Sequence, residues 1–432
     1  MEEKPVEKSK KSRREILNGS VFYQGKVNDQ SPEDSTVIKN TVEIVLLTTY
    51  PPRECGIATY SKDLEHALKN KFNDSFKLRI LPLEDSNGAY KYPKGIEQAL
   101  NTTSEFDFLK NSHLLNSDEK VGVVMVQHEF GLFCSNEPAF IDFLESINKP
   151  LIIVFHTVLP NPDSELKKSV SKIASASDRL IVMTRNSAEI LVRDYGVAND
   201  MIAVIPHGTH SVCHKDERTL KEKYNLTDRL VLSTFGLLGP GKSIETSLDA
   251  LPAIIKEYPR TVFLILGKTH PTLIKQKGED YREFLESKVE KLGLSQHVRF
   301  INEFLPLDKL LEYLQLTDIY LFTSKDPNQA VSGTFSYALS CGCPVISTPI
   351  PHALEVLKNN AGHIFDFEDS TQLGQAIINL FGNDEARKTM RLNGLRHIAE
   401  STWDNAAIAH GKVFEAVGKA KIELAYRKPE IK

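Results

Sequence analysis

From residue 42 the chain alternates short unbroken apolar runs with longer stretches of helical spacing. The first set of runs is Val42–Leu47, Leu78–Leu83, Val121–Val126, Leu151–Phe155, Leu180–Met183 and Ile202–Ile205. Between most of them lie helical patterns such as Ser61–Phe72, Ser164–Ala176 and Ser187–Tyr195. Runs of five or six apolar residues without alternation are strands buried on both faces. Alternating with helices long enough to cross over, they predict parallel sheets. The pattern then restarts with Leu230–Phe235, Val262–Leu266, Val298–Ile301, Ile319–Phe322, Pro344–Ser347 and His363–Phe365, with helical stretches Ile244–Tyr258, Tyr281–Leu292, Leu307–Leu316 and Thr371–Phe381. Six strands and then six more predict an α/β protein of two doubly wound domains, with the polar stretch Ser211–Thr227 as linker. One long helical pattern, Asn405–Tyr426, closes the chain without a following strand.

Composition narrows the class. The chain has 432 residues, 41% hydrophobic and 25% charged, a globular balance. A net charge of −4 supplies no basic field for nucleic acid. No apolar run is long enough to span a membrane. Residues 1–40 are polar, of mixed sign and without period, which predicts a mobile arm. Its basic cluster, Lys10-Lys11 and Arg13-Arg14, leaves peripheral membrane contact open beside the simpler reading of a solvated tail. The charged N-terminus lacks a secretory core, and five dispersed cysteines read as reduced thiols, so a cytoplasmic location is expected.

In open α/β sheets ligands sit beyond the carboxyl ends of strands, so the candidate chemistry lies just after the apolar runs. After the first run comes Arg53-Glu54-Cys55-Gly56, where Gly56 opens a helix. After the third comes Gln127-His128-Glu129, and after the fourth His156. Two strand-end histidines facing one cleft suit hydroxyl-bearing ligands, because imidazole both donates and accepts. Ile205-Pro206-His207-Gly208 ends the first half. The second half opens with Gly236-Leu237-Leu238-Gly239-Pro240-Gly241-Lys242-Ser243. Glycines and a lysine between strand and helix form an anion cradle, although the spacing is not that of a Walker loop. Farther on, Gln329 precedes Ser332-Gly333-Thr334 at a helix start, where hydroxyls and free N–H groups suit a phosphate or a sugar. No paired acidic motif stands at a strand end, so no metal is expected, and no cofactor.

Pro51–Thr59, Ile205–Gly208, Ala338-Leu339-Ser340-Cys341-Gly342-Cys343-Pro344-Val345 and Trp403, in this order, resemble the retaining nucleotide-sugar glycosyltransferases of family 4, the glycosyltransferase group 1 proteins. The resemblance covers about residues 42 to 426. It implies the GT-B fold: two doubly wound Rossmann-like domains facing across a cleft. Residues 41–212 would form the acceptor domain, 213–402 the donor or phosphate domain, and 403–432 a helix crossing back to the first domain. The implied activity is metal-independent transfer of a hexose from an activated sugar donor to a carbohydrate or other hydroxyl acceptor. The resemblance implies that Gly56 lies in the loop near the donor phosphate and acceptor, that His156 contacts the donor sugar at the reacting centre, and that Lys242 binds the donor diphosphate. Together with the residues that follow the strands, this gives the expected site: catalysis by His156, His128 and Lys242; donor or phosphate binding by Gly56, Gly236, Gly241, Lys242, Gln329, Ser332, Gly333 and Thr334; and the acceptor side at Arg53, Glu54, Glu129 and His207. The chain departs from the family pattern in three places. Leu237 stands where an arginine is usual, His207 where an asparagine is usual, and Gln329 and Tyr337 where two glutamates are usual, the second of which holds the nucleotide ribose. Nucleotide affinity below the family norm is therefore expected. A disaccharide phosphorylase using phosphate and sugar 1-phosphate, and a non-catalytic sugar- or nucleotide-binding protein, remain as alternatives.

Overall fold

The computed structural model describes residues 42–85 and 90–418. The expected arm, residues 1–40, and the end of the terminal helix pattern lie outside these residues. The first sheet contains β1 (Glu43–Thr48), β2 (Lys77–Glu84), β3 (Leu100–Asn101), β4 (Val121–His128), β5 (Leu151–Phe155), β6 (Arg179–Val182) and β7 (Ile202–Val204), in the order 3-2-1-4-5-6-7. The second contains β8 (Leu230–Phe235), β9 (Thr261–Leu266), β10 (Val298–Ile301), β11 (Ile319–Phe322), β12 (Val345–Ser347) and β13 (His363–Ile364), in the order 10-9-8-11-12-13. All the pairings are parallel. Each sheet therefore has one switch point where the winding reverses, between β1 and β4 in one half and between β8 and β11 in the other.

Hydrophobic cores cover both faces of each sheet, which is why the central strands read as unbroken apolar runs. Helix Gly56–Phe72 shows how local sequence feeds this packing. Cys55 Sγ accepts from the Ala58 N–H as the cap, and Tyr60, Leu64, Ala67, Leu68 and Phe72 bury one face at helical spacing. The final described helix, Trp403–Val417, packs on that same helix, and its Trp403, Ala407 and Phe414 join the core of the first sheet. Burying Trp403 and Phe414 contributes roughly 1.5–3 kcal/mol each. The chain crosses between the halves twice, and the two crossings lie side by side. The Thr209 N–H donates to the Ser401 carbonyl at 2.8 Å, and the Trp403 N–H donates to the Thr209 carbonyl at 3.0 Å. A side chain at Gly208 would overlap the Trp403 ring.

Two details differ from the sequence reading. The first sheet has a seventh strand, β3, whose two residues are too few to show a period. The stretch read as linker contains helix Glu217–Lys223, capped by Asp216 and anchored by buried Leu220 in the core of the second half.

Candidate functional site

The loops that leave the two switch points come together between the halves. On the second-half side, the chain after β8 turns at Gly236, whose φ of 131° favours glycine. A side-chain carbon placed there would lie 3.3 Å from Thr334 Cγ2 and 3.8 Å from Lys242 Nζ. Gly236, Lys242 and Thr334 thus converge on one point. Thr323 Oγ1 donates to the Lys242 carbonyl at 2.7 Å and the Lys325 N–H donates to the Gly241 carbonyl at 3.1 Å, so the β11 loop fixes the β8 loop. The Lys242 ammonium lies 5.5 Å above the Phe322 ring, and burial lowers its pKa to about 8. It has no ion pair among the described residues. A partly buried cation with no protein counter-charge is the electrostatic signature of an anion site.

Ser332 Oγ and Thr334 Oγ1 lie 3.0 Å apart at the start of helix Gly333–Ser340, and neither caps that helix. The Ser332 N–H donates instead to His352 Nδ1 at 3.2 Å. Gly333 faces His207, whose Nδ1 bonds the Gly208 carbonyl at 2.7 Å. The Gln329 amide is used locally, donating to the Val331 carbonyl at 3.4 Å.

On the first-half side, His156 follows β5 and its Nε2 lies 2.7 Å from Gln127 Oε1, with the Tyr60 ring edge-on at 5.0 Å. Burial, with smaller contributions from His207 and His128, lowers its pKa to about 3. His128 does not join it. Successive strand residues point to opposite faces, so the ring of His128 enters the core among Phe130, Phe133, Phe140 and Phe155, 1% exposed. The expected catalytic role of His128 is therefore corrected: Gln127 is the β4 residue that meets His156. Glu129 caps a short helix by accepting from Phe130 N at 3.1 Å and also accepts from Thr157 Oγ1 at 2.7 Å. Burial raises its pKa, and Asp326 of the other half adds to the shift. Gly56 is exposed, with open space where a side chain would go.

Arg53 and Glu54 sit at the mouth of the crevice. Arg53 lies 3.8 Å from Asp85, and Glu54 forms a 2.5 Å ion pair with Lys268 across the halves. Lys268 and His270 follow β9, a strand end that sequence reasoning passed over. Burial lowers the His270 pKa, with Arg53 and Lys242 adding to the effect, so three cationic or ionisable groups share this region. A second link between the halves uses Tyr337, whose hydroxyl donates to Asp63 Oδ2 at 2.8 Å, with His210 Nε2 3.2 Å from the phenol and 3.3 Å from the carboxylate. Tyr337 is therefore committed to the first half and does not offer its hydroxyl to the Lys242 loop. Among the described residues no group of three or more His, Cys, Asp or Glu side chains is placed to hold a metal ion, and no helix is long and apolar enough to cross a membrane.

Two facing doubly wound halves with ligand chemistry at their opposed switch points make this a GT-B protein. Solved structures agree: Anabaena Alr3699/HepE, described in complex with UDP and glucose, matches with a TM-score of 0.68 at 15% identity, over 87% of this chain and 100% of that one. A sucrose-phosphate synthase from Thermosynechococcus elongatus matches with a TM-score of 0.68 at 16% identity, over 87% and 98%. At such identities the likeness speaks for the fold. Residues 216–397 match the family described as glycosyl transferases group 1. Curated relatives include the GDP-mannose-dependent alpha-(1-6)-phosphatidylinositol monomannoside mannosyltransferase of Mycolicibacterium smegmatis, 25% identical over 43% of this chain and 47% of that protein. They also include a D-inositol 3-phosphate glycosyltransferase of Corynebacterium diphtheriae, 23% identical over 60% of this chain and 64% of that one. The chain thus spans about half to two thirds of the length of these relatives.

Proposed function

We propose that the protein is a retaining hexosyltransferase that moves a sugar from a nucleotide-sugar donor to a hydroxyl acceptor in the crevice between the halves. The observation that carries this reading is Lys242, an unpaired and partly buried ammonium beside Gly236 and Thr334. In this reading Lys242, the Ser332 and Thr334 hydroxyls and the start of helix Gly333–Ser340 take up charge on the leaving diphosphate. His156, held neutral, hydrogen-bonds the sugar. The family match and the relatives that act on sugars support the assignment, and retention is read from the anomeric configuration of the product.

Calorimetric titration with a panel of nucleoside diphosphates and sugar nucleotides tests it. Lys242→Ala weakens donor binding by about 1.5–3 kcal/mol, the range for a hydrogen bond to a charged group. The sign of the pH dependence follows from the lowered pKa. The ammonium loses its proton as pH rises through about 8, so wild-type affinity falls above that value, whereas Lys242→Arg stays charged. Affinity that ignores both the substitution and the pH would overturn the assignment.

A second reading rests on Gln329 and Tyr337. Neither supplies a carboxylate, and the Tyr337 hydroxyl is engaged by Asp63. A phosphorylase, with inorganic phosphate at Lys242 and a sugar 1-phosphate as donor, needs no ribose contact. Binding of phosphate and glucose 1-phosphate but of no nucleotide in the same titration would favour it.

A further inference from the structure

Strand β4 reads Val-Gly-Val-Val-Met-Val before it reaches Gln127, and every residue of the strand is buried. Gln127 is 0% exposed. An apolar side chain would suit such a position better, since a buried amide must satisfy one acceptor and two donors. Among the described residues its Oε1 has one partner, His156 Nε2, at 2.7 Å, and its Nε2 has none. A buried polar group kept at such cost, with its single bond directed at a strand-end histidine, acts on that histidine.

We propose that Gln127 is a positioning residue that holds His156 as the neutral tautomer protonated at Nε2, leaving Nδ1 as a hydrogen-bond acceptor for a hydroxyl of the bound sugar or acceptor. An amide oxygen accepts only, so the shared proton must sit on the ring. The bond made by one ring nitrogen then decides what the other offers. A neutral amide differs from a carboxylate here because it does not favour the imidazolium. The groups facing the ring strengthen that bias toward neutrality. Tyr60 from helix Gly56–Phe72 and His207 from the loop after β7 bring no negative charge, and the charge interactions of His207 and, from the core behind, of His128 both disfavour the imidazolium. The part of this inference that concerns substrate rests on the glycosyltransferase reading; the part that concerns the ring does not.

Histidine-selective 13C and 15N labelling of the full chain, with the His156 signals assigned from a His156→Gln variant, reads the tautomer directly. The expected wild-type spectrum shows a neutral ring with its proton on Nε2, unchanged between about pH 6 and 8, the range in which a free imidazole titrates. Gln127→Leu fills the same space with apolar atoms and releases the ring to a mixture of tautomers. kcat then falls by about 10- to 100-fold with KM little changed, the signature of lost orientation. Gln127→Glu places a carboxylate against Nε2. The ring then gains a proton in the neutral range, Nδ1 becomes a donor, and the rate acquires an acid limb that coincides with the ring's titration. A wild-type ring protonated at Nδ1 overturns the proposal, because the amide would then be donating. So does a Gln127→Leu variant with unchanged tautomer and unchanged kcat. If the tautomer behaves as stated and no sugar is transferred by any variant, the ring assignment stands and the proposed reaction fails.

Discussion

The two halves share one topology and present opposite chemistry at their switch points. Around β1 and β4 the first half offers Gln127 and a His156 held far below the usual imidazole range, beside a Glu129 whose pKa is raised by burial. Around β8 and β11 the second half offers glycine-opened backbone, two hydroxyls and an unpaired ammonium. Burial works on both, with different results. It holds imidazole and carboxyl toward their uncharged forms, which suits hydroxyl recognition. It leaves Lys242 charged at neutral pH but close to its titration, which suits an anion that arrives and departs. In the proposed reaction the two halves would take the two parts of an activated sugar, and the experiments below separate their chemistry.

The largest expected effect comes from a close approach of backbone to backbone in the second half, which the helix start at Gly56 in the first half lacks. Gly267, at the end of β9, has a φ of 126°, and a side chain there would overlap the Gly236 carbonyl oxygen. Gly267→Ala combines left-handed strain with overpacking, each costing about 1–3 kcal/mol, for a total of about 2–6 kcal/mol. The equivalent test on the first half is Gly56→Ala. Gly56 starts a helix with open space around it, so stability stays within about 0.5 kcal/mol. Urea unfolding of the two variants checks the contrast, and equal losses would mean that the halves do not differ in this respect.

The fold was legible because fully buried strands write themselves as unbroken apolar runs. That same feature hid part of the site. When both faces of a strand are apolar, no alternation shows which of two adjacent polar residues at its end turns inward. His128 was thus expected in the cleft, although it lies in the aromatic core and Gln127 meets His156. Lys242 was readable because glycines and a cation between strand and helix form a local pattern. Lys268 and His270 carry no such pattern, and their place is set by the order of the second sheet. The bond from Tyr337 to Asp63 joins residues 274 apart in sequence, and nothing near either one announces it.

That bond carries the next prediction. Tyr337 stands where the family resemblance places a ribose-holding glutamate, yet its hydroxyl is buried against Asp63 and His210. Tyr337→Phe removes a donor to a carboxylate while His210 stays within reach of it, so the loss is about 1.5 kcal/mol, the low end for a charged hydrogen bond. The effect belongs to the junction between the halves. The melting temperature falls, while nucleotide affinity measured by calorimetry stays within about twofold, because a change of 1.4 kcal/mol would already be tenfold. A large loss of affinity with unchanged melting would show that the phenol serves the ligand and that the division between junction and crevice is drawn in the wrong place.

The smallest expected effect concerns Glu54 and Lys268, where the halves meet at the mouth of the crevice. Their ion pair at 2.5 Å is about one third exposed on both sides, with side-chain accessibilities of 32% and 31%. Pairs this exposed contribute about 0–1 kcal/mol, so Glu54→Gln leaves stability almost unchanged. Its consequence for binding has the opposite sign. Removing the carboxylate frees the Lys268 ammonium beside Arg53, His270 and Lys242, in a region where burial and neighbouring cations already lower the His270 pKa. An anionic ligand then meets one more unpaired cation, and its affinity rises about two- to fivefold in low salt. At 1 M salt the screening length is about 3 Å and the gain disappears. Glu129→Gln, on the first-half wall of the crevice, shows no such salt-dependent gain, because its carboxyl is held by Thr157 and the Phe130 N–H and pairs with no cation among the described residues. Equal salt-dependent gains for the two variants would mean that the crevice has a single shared field and that the chemical division between its walls does not hold.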